Sequence, residues 1–248
     1  MPKPHPRRHR HRGTPLPGRV RGPHRKPIPI LMYHVIGNPP AGAPYPELYV
    51  ARHDLVRQVG WLALHHWHAI TLQQAYDYWR FGYGLPPHPV VLSFDDGYRG
   101  DYTAAMPILA QYHWRGVLNL AVHNEDGALP VWQIRGLVAH GWEVDAHTIN
   151  HVDLTKLDAH ELRQEVLGSR QVIRRQFHVP VLFFCYPSGR FDAQVIAAVR
   201  AAGFLGATTV NYGAASPSNG WYTLDRLRIN RSDGLSGFVS KLLSFASS

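Results

Sequence analysis

The chain is poor in cysteine, in long apolar runs and, at its start, in acids and aromatics. Cys185 is the only cysteine among 248 residues, which excludes an intramolecular disulfide and a cysteine-based zinc knuckle. No segment approaches the apolar length needed to span a bilayer. No stretch near the start supplies the apolar core of a signal peptide, and none follows Arg7-Arg8 as a twin-arginine export signal requires. Residues 1–27 hold no acid and no Trp, Phe or Tyr, yet carry nine of the 26 Lys and Arg, seven of the 20 prolines and four histidines. Such a segment cannot bury enough apolar surface to offset the entropy of ordering, so it reads as a disordered basic tail. It suits an anionic surface such as a wall polymer, lipid headgroups or nucleic acid, or serves only as a solvated extension.

Without the tail the net charge of +9 disappears, because 17 basic residues remain against 17 acidic ones. A neutral body with a basic tail predicts weak, salt-dependent contact with nucleic acid and no specific recognition of it. The 45% apolar content and seven tryptophans suffice for one large core, so residues 28–248 are expected to form a single α/β domain.

From Pro27 onward, short β-rich runs alternate with helical periodicity, the signature of βα units on a parallel sheet. Strands are expected at 28–36, 68–72, 90–96, 116–122, 142–147, 181–185, 204–209 and 224–229. Helices are expected at 51–67, 73–83, 101–112, 130–140, 158–177, 193–202 and 237–245, with a Pro/Gly-rich loop at 38–46. The pattern suits a barrel of βα units better than an open sheet.

The chemistry concentrates at strand ends. Val90-Val91-Leu92-Ser93-Phe94-Asp95-Asp96-Gly97 runs an apolar strand into two adjacent carboxylates and a glycine. Like charges side by side repel, so such a pair at a strand mouth has a cation or a proton-transfer task, or else caps the next helix. His147-Thr148-Ile149-Asn150-His151 places two imidazoles four residues apart after another strand, a spacing that lets both rings share a metal. Chance alone gives roughly one such pair in a chain this rich in histidine. Position adds the information, because both groups follow the C-terminal ends of strands, where α/β barrels and doubly wound sheets assemble their sites. Two histidines and a carboxylate make an open catalytic zinc set, leaving the second carboxylate as a base.

Ser93-Phe94-Asp95-Asp96-Gly97, His147-Thr148-x-x-His151 and Phe184-Cys185-Tyr186-Pro187-Ser188-Gly189, in that order, resemble the first three motifs of the polysaccharide deacetylases, the NodB-homology carbohydrate esterases of family 4. The resemblance spans residues 28–248. Leu31-Met32-Tyr33-His34 and the Tyr-Pro-Ser-Gly form are similar to the subgroup that includes poly-N-acetylglucosamine deacetylases, whose catalytic elements are permuted in order.

This resemblance implies a distorted (β/α)7 barrel and metal-dependent hydrolysis of N-acetyl groups on an N-acetylglucosamine polymer, a chitin oligomer or peptidoglycan. It assigns Asp95 as general base and Asp96, His147 and His151 as ligands of zinc or another divalent transition metal. Thr148 is expected to fix the loop, and the amide of Ser188 to stabilise the oxyanion. No Leu-x-His motif follows His178, so the subgroup points to His34 as general acid. The arginine that braces the base in many members is replaced by Cys185, which makes Arg226 the candidate brace and Asp225 a weaker one. Tyr98, Trp132 and Trp221 are candidate sugar-stacking walls, although each residue of this kind is more often part of a core or rim. An O-acetyl xylan esterase or a non-catalytic carbohydrate-binding module are the competing readings. The family resemblance favours the cell envelope or secretion, although composition leaves the compartment open.

Overall fold

In the computed structural model, which describes residues 24–123 and 129–245, parity along the strands decides what faces where. Along β5 (Pro89–Asp96) the residues Val90, Leu92 and Phe94 join the large apolar cluster beneath the helices, which leaves Val91, Ser93 and Asp95 to point inward. The other strands are β1 (Ile30–Tyr33), β2 (Val35–Ile36), β3 (Tyr49–Val50), β4 (His68–Ile70), β6 (Val117–Leu120), β7 (Glu143–Ala146), β8 (Phe183–Cys185), β9 (Gly206–Tyr212) and β10 (Leu224–Arg228). Parallel pairing runs β1-β10-β9-β8-β7-β6-β5, and β1 pairs back onto β5 with Ile30 opposite Val91, closing a seven-stranded barrel. This is the NodB-type (β/α)7 fold.

The helices form the outer layer: α1 (Arg52–Leu64), α2 (Leu72–Phe81), α3 (Met106–Ala110), α4 (Val131–Ala139), α5 (Ala159–Arg163), α6 (Ser169–Phe177), α7 (Ala193–Ala201) and α8 (Ser236–Leu243). A capping box of Thr71 and Gln74 starts α2, and Gly82 at φ 74° ends it. Leu72, Ala75 and Trp79 of that helix pack with Ile30, Val91, Val117, Phe183 and Leu224. This apolar plug closes the end of the barrel where the strands begin. At the other end the inward residues turn polar, from Ser93, Asn119 and Thr208 up to Asp95, His147 and Arg226, all buried. Among the described residues no helix is long and apolar enough to cross a membrane.

Several boundaries differ from the sequence expectation. The run 28–36 is not one strand, because Ile28 bridges to Ala215 and the ladder of β1 stops at Tyr33. Val35 and Ile36 then pair with Tyr49 and Val50 in a separate small sheet. An apolar run carries no mark of a change of partner. His68–Ile70 is a strand, but it lies beside the first half of β5 and takes no part in closing the barrel. Leu72 belongs to α2 and not to that strand, since Thr71 caps the helix. The strand expected at 204–209 starts at Gly206 and continues to Tyr212. The helix expected over 158–177 is interrupted by a π turn at Gln164–Gly168, and that over 101–112 begins with one at Asp101–Ala105. Of the basic tail, residues 1–23 lie outside the described residues. His24 stacks on Tyr78 at 4.2 Å and the Lys26 carbonyl accepts from the Trp79 indole at 2.9 Å, so the end of the segment read as tail is docked on α2.

Candidate active site

Asp95 and Asp96 are the last two residues of β5, so the pleat sends their side chains to different places. Asp95 points into the barrel and is 2% exposed. Its Oδ1 accepts from Arg226 at 2.8 Å and from Asn119 at 2.7 Å, and its Oδ2 accepts from Arg226 at 2.8 Å. Arg226 reaches it from β10 and is itself 1% exposed. The remaining donors of the guanidinium go to the Thr209 carbonyl, Ser93 Oγ and Cys185 Sγ, so all five N–H groups are engaged. Burial alone raises the pKa of Asp95. The Arg226 charge and its hydrogen bonds outweigh that and hold the carboxyl well below the usual carboxylate range.

Asp96 leaves the barrel wall through a left-handed backbone, at φ 73°, followed by Gly97 at φ 86°. A Cβ on Gly97 would stand 2.8 Å from Leu120 Cδ1, so the turn needs glycine both for its conformation and for its space. The turn sets Asp96 Oδ1 at 3.2 Å from Nε2 of His147 and at 3.2 Å from Nε2 of His151. His147 donates Nδ1–H to the Cys185 carbonyl at 2.7 Å, which turns its Nε2 toward Asp96. His151 and Thr148 also have positive φ, at 52° and 71°, and Thr148 Oγ1 accepts from the His151 amide at 2.9 Å. Three non-glycine residues in left-handed backbone store strain where three donor atoms converge. One carboxylate oxygen and two imidazole nitrogens converging within a few ångström fit a divalent transition metal.

His34 follows β1 at the mouth, with Nε2 at 4.0 Å from Asp95 Oδ2. Burial lowers its pKa, and the nearby Asp95 and Asp96 charges recover only part of the shift. Ser188 lies in the turn after β8 at φ 52°, followed by Gly189, where any Cβ would collide with Val210. Arg190 ties that turn to Asp153 at 2.6 Å, linking it to the segment after His151. His34, Asp95, Asp96, His147, His151, Ser188 and Arg226 all line one cleft of about 840 Å³.

The other candidates divide. Tyr98 lines the cleft. Trp221 does not, because it packs on Tyr76 and Trp79 at the plugged end of the barrel. Trp132 is 61% exposed and stands edge-on to Tyr102, away from the residues lining the cleft. Asp225 accepts from Asn219 at 2.8 Å and has outward parity on β10, so it does not reach Asp95.

Sequence reasoning missed Glu165. Its carboxylate, 7% exposed, accepts from the Ile149 and Asn150 amides at 2.8 and 3.0 Å and from Asn150 Nδ2 at 2.6 Å. Those are the two residues between Thr148 and His151. Glu165 reaches them from the π turn, which shifts the helix by a residue and lets both Glu165 and Val166 be buried. Only a buried acid in an otherwise amphipathic helix could have signalled it. Replacing Glu165 by Ala is expected to weaken divalent-metal binding about 10- to 100-fold, as loss of an orienting shell does. Glu165→Gln, which keeps an oxygen for the two amides, should lose less. A competitive chelator titration of both variants measures this, and equal affinity in Glu165→Ala would remove Glu165 from the site.

Parallel strands closed into a ring, with every reactive side chain at the mouth where they end, mark a barrel enzyme. A sequence profile described as polysaccharide deacetylase matches residues 73–207, more than half of the chain. The chain belongs to the polysaccharide deacetylase family and is a hydrolase of that class. A Bacillus subtilis protein named for the same family, YxkH, is 28% identical over 214 residues, covering 85% of this chain and 73% of its own. The poly-β-1,6-N-acetyl-D-glucosamine N-deacetylase of Escherichia coli is 38% identical over 63 residues, 25% of this chain and 9% of that protein. Among solved structures, the Streptococcus pyogenes deacetylase PplD in complex with acetate superposes with a TM-score of 0.81 at 24% identity, over 88% of this chain and 99% of its own.

Proposed function

We propose that this polysaccharide deacetylase removes N-acetyl groups from an N-acetylglucosamine-containing glycan, with Asp95 as the base and His34 as the acid. The observation that carries the reading is the division of labour between adjacent carboxylates: Asp95 is held by Arg226 and Asn119, while Asp96 meets two imidazoles. The E. coli relative, named for poly-β-1,6-N-acetyl-D-glucosamine, supports the choice of polymer.

Asp96, His147 and His151 would hold a divalent cation, which when bound polarises the acetyl carbonyl and acidifies water. Asp95 takes the proton of the attacking water through Oδ2, the oxygen on the His34 side, while Arg226 keeps that oxygen oriented. As the carbonyl carbon becomes tetrahedral its oxygen gains charge, and the Ser188 amide at the cleft wall donates to it. An amine anion is too poor a leaving group to depart unprotonated, so the nitrogen needs an acid. His34 is suited to this role because burial makes its imidazolium a ready proton donor. At 4.0 Å from Asp95 it stands where a proton taken on one side can be returned on the other.

The test is acetate release by the full chain from β-1,6- and β-1,4-linked N-acetylglucosamine oligomers and from acetylated xylan, before and after chelation. Release from the N-acetylated oligomers, abolished by chelator and restored by zinc or cobalt, is the expected outcome. Release from xylan alone would move the assignment to an O-acetyl esterase. Indifference to the chelator would remove the metal from the mechanism.

A further inference from the structure

We infer that Arg228 forms an anion-recognising subsite at the rim of the cleft, taking a carboxylate carried by the glycan close to the acetyl group under attack. This deepens the deacetylase reading and rests on it. Arg228 lies two residues beyond Arg226 on the same inward face of β10, opposite Met32 of β1, and it lines the cleft with His34 and Asp96. The two arginines differ in what they hold. Arg226 engages every donor it has, whereas the partly buried guanidinium of Arg228 makes no hydrogen bond or ion pair among the described residues.

The acids nearby are turned to other donors, and none is within ion-pair distance of it among the described residues. Glu47, on the same wall, accepts from the Ser232 amide and hydroxyl at 3.0 and 2.6 Å. Asp233 is paired with Lys241 at 2.6 Å and accepts from the Asn230 amide at 2.7 Å. Asp95 belongs to Arg226, and Asp96 to the two imidazoles. A guanidinium that is partly desolvated and unmatched favours an incoming planar anion, which it can grip with two parallel N–H···O bonds.

In the same cleft, Tyr45 stands 69% exposed between Pro44 and Pro46. Proline on each side stiffens the backbone that presents the ring. An exposed, backbone-fixed aromatic face suits the apolar face of a pyranose. Stacking surface and unmatched cation together select an acetylated sugar bearing, or adjoining, a carboxylate such as a lactyl ether or a uronate. The acetate released by the reaction carries the same group, so the test must separate the two sources.

Calorimetry on the zinc-loaded full chain would compare a lactyl-bearing N-acetylglucosamine oligomer with the same oligomer as its neutral methyl amide, alongside acetate release from both. The unmodified protein should prefer the acid form about tenfold or more, the scale of a charge-assisted hydrogen bond. Arg228→Gln should bring that ratio to about one, Arg228→Lys should keep part of it, and the inhibition constant of acetate should stay unchanged in both. No preference in the unmodified protein, or a ratio untouched by Arg228→Gln, overturns the inference, as does a change confined to acetate inhibition. Affinity is read from the titration and turnover from acetate release, so a protein that releases no acetate from any glycan refutes the deacetylase reading separately.

Discussion

Replacing Asp95 by Asn should lower kcat for deacetylation by a factor on the order of 10²–10⁴, the usual contribution of a positioned base. The substitution keeps the shape of the side chain and removes its charge and basicity, at a cost in stability because the buried Arg226 loses its counter-ion. Because Asp96, His147 and His151 are the residues proposed to hold the metal and Asp95 is not among them, metal stoichiometry should stay as in the unmodified protein. Two readouts therefore separate chemistry from collapse: acetate release falls steeply, while metal content and far-ultraviolet circular dichroism do not. Retention of more than a tenth of kcat in a metal-loaded variant would falsify the assignment of Asp95 as base.

The second large effect is expected at Arg226. Truncating it to Leu leaves the Asp95 carboxylate buried with Asn119 as its principal remaining donor, and removing one partner of a buried ion pair costs about 3–5 kcal/mol. Activity should fall as well, because Asp95 loses the fork that orients it. The sign of the pH dependence follows from the direction of the shift. The folded carboxyl titrates below its unfolded value near 3.9, so the pair contributes stability above that pH and loses it as the solution is acidified through the folded pKa. Arg226→Leu should flatten this acid limb in urea unfolding. The double variant Arg226→Leu with Asp95→Asn should be less destabilised than the sum of the singles, since it leaves no charge unmatched. Strict additivity of the two substitutions would show that the ion pair carries no coupling.

The two carboxylates and two histidines were legible in the sequence because each pair lies at or just past the end of a strand, and strand ends are visible in local periodicity. The alternation of Val91, Ser93 and Asp95 against Val90, Leu92 and Phe94 was hidden in what reads as a continuous apolar run, because both faces of that strand are covered. Glu165 escaped because a π turn redirects it by one residue, a change that helical spacing does not encode. Trp221 was misplaced because an aromatic residue near a strand looks the same at either end of a barrel. Tyr45 sits in a segment that pattern alone describes only as a Pro/Gly-rich loop. Arg226 became a candidate because a family resemblance left a brace missing. Its partner is 131 residues away, and no local signal joins them.

By itself, then, the sequence determined the βα alternation, the carboxylate pair at the end of the 90–96 strand and the chemical types available at the mouth, since these depend on neighbours within a few residues. Tertiary structure alone decided that β1 pairs with β5 and so shuts the barrel, and that one arginine of β10 is fully engaged while the next, Arg228, is unmatched. Closure fixes the register among seven strands at once, and only register determines which distant charges meet.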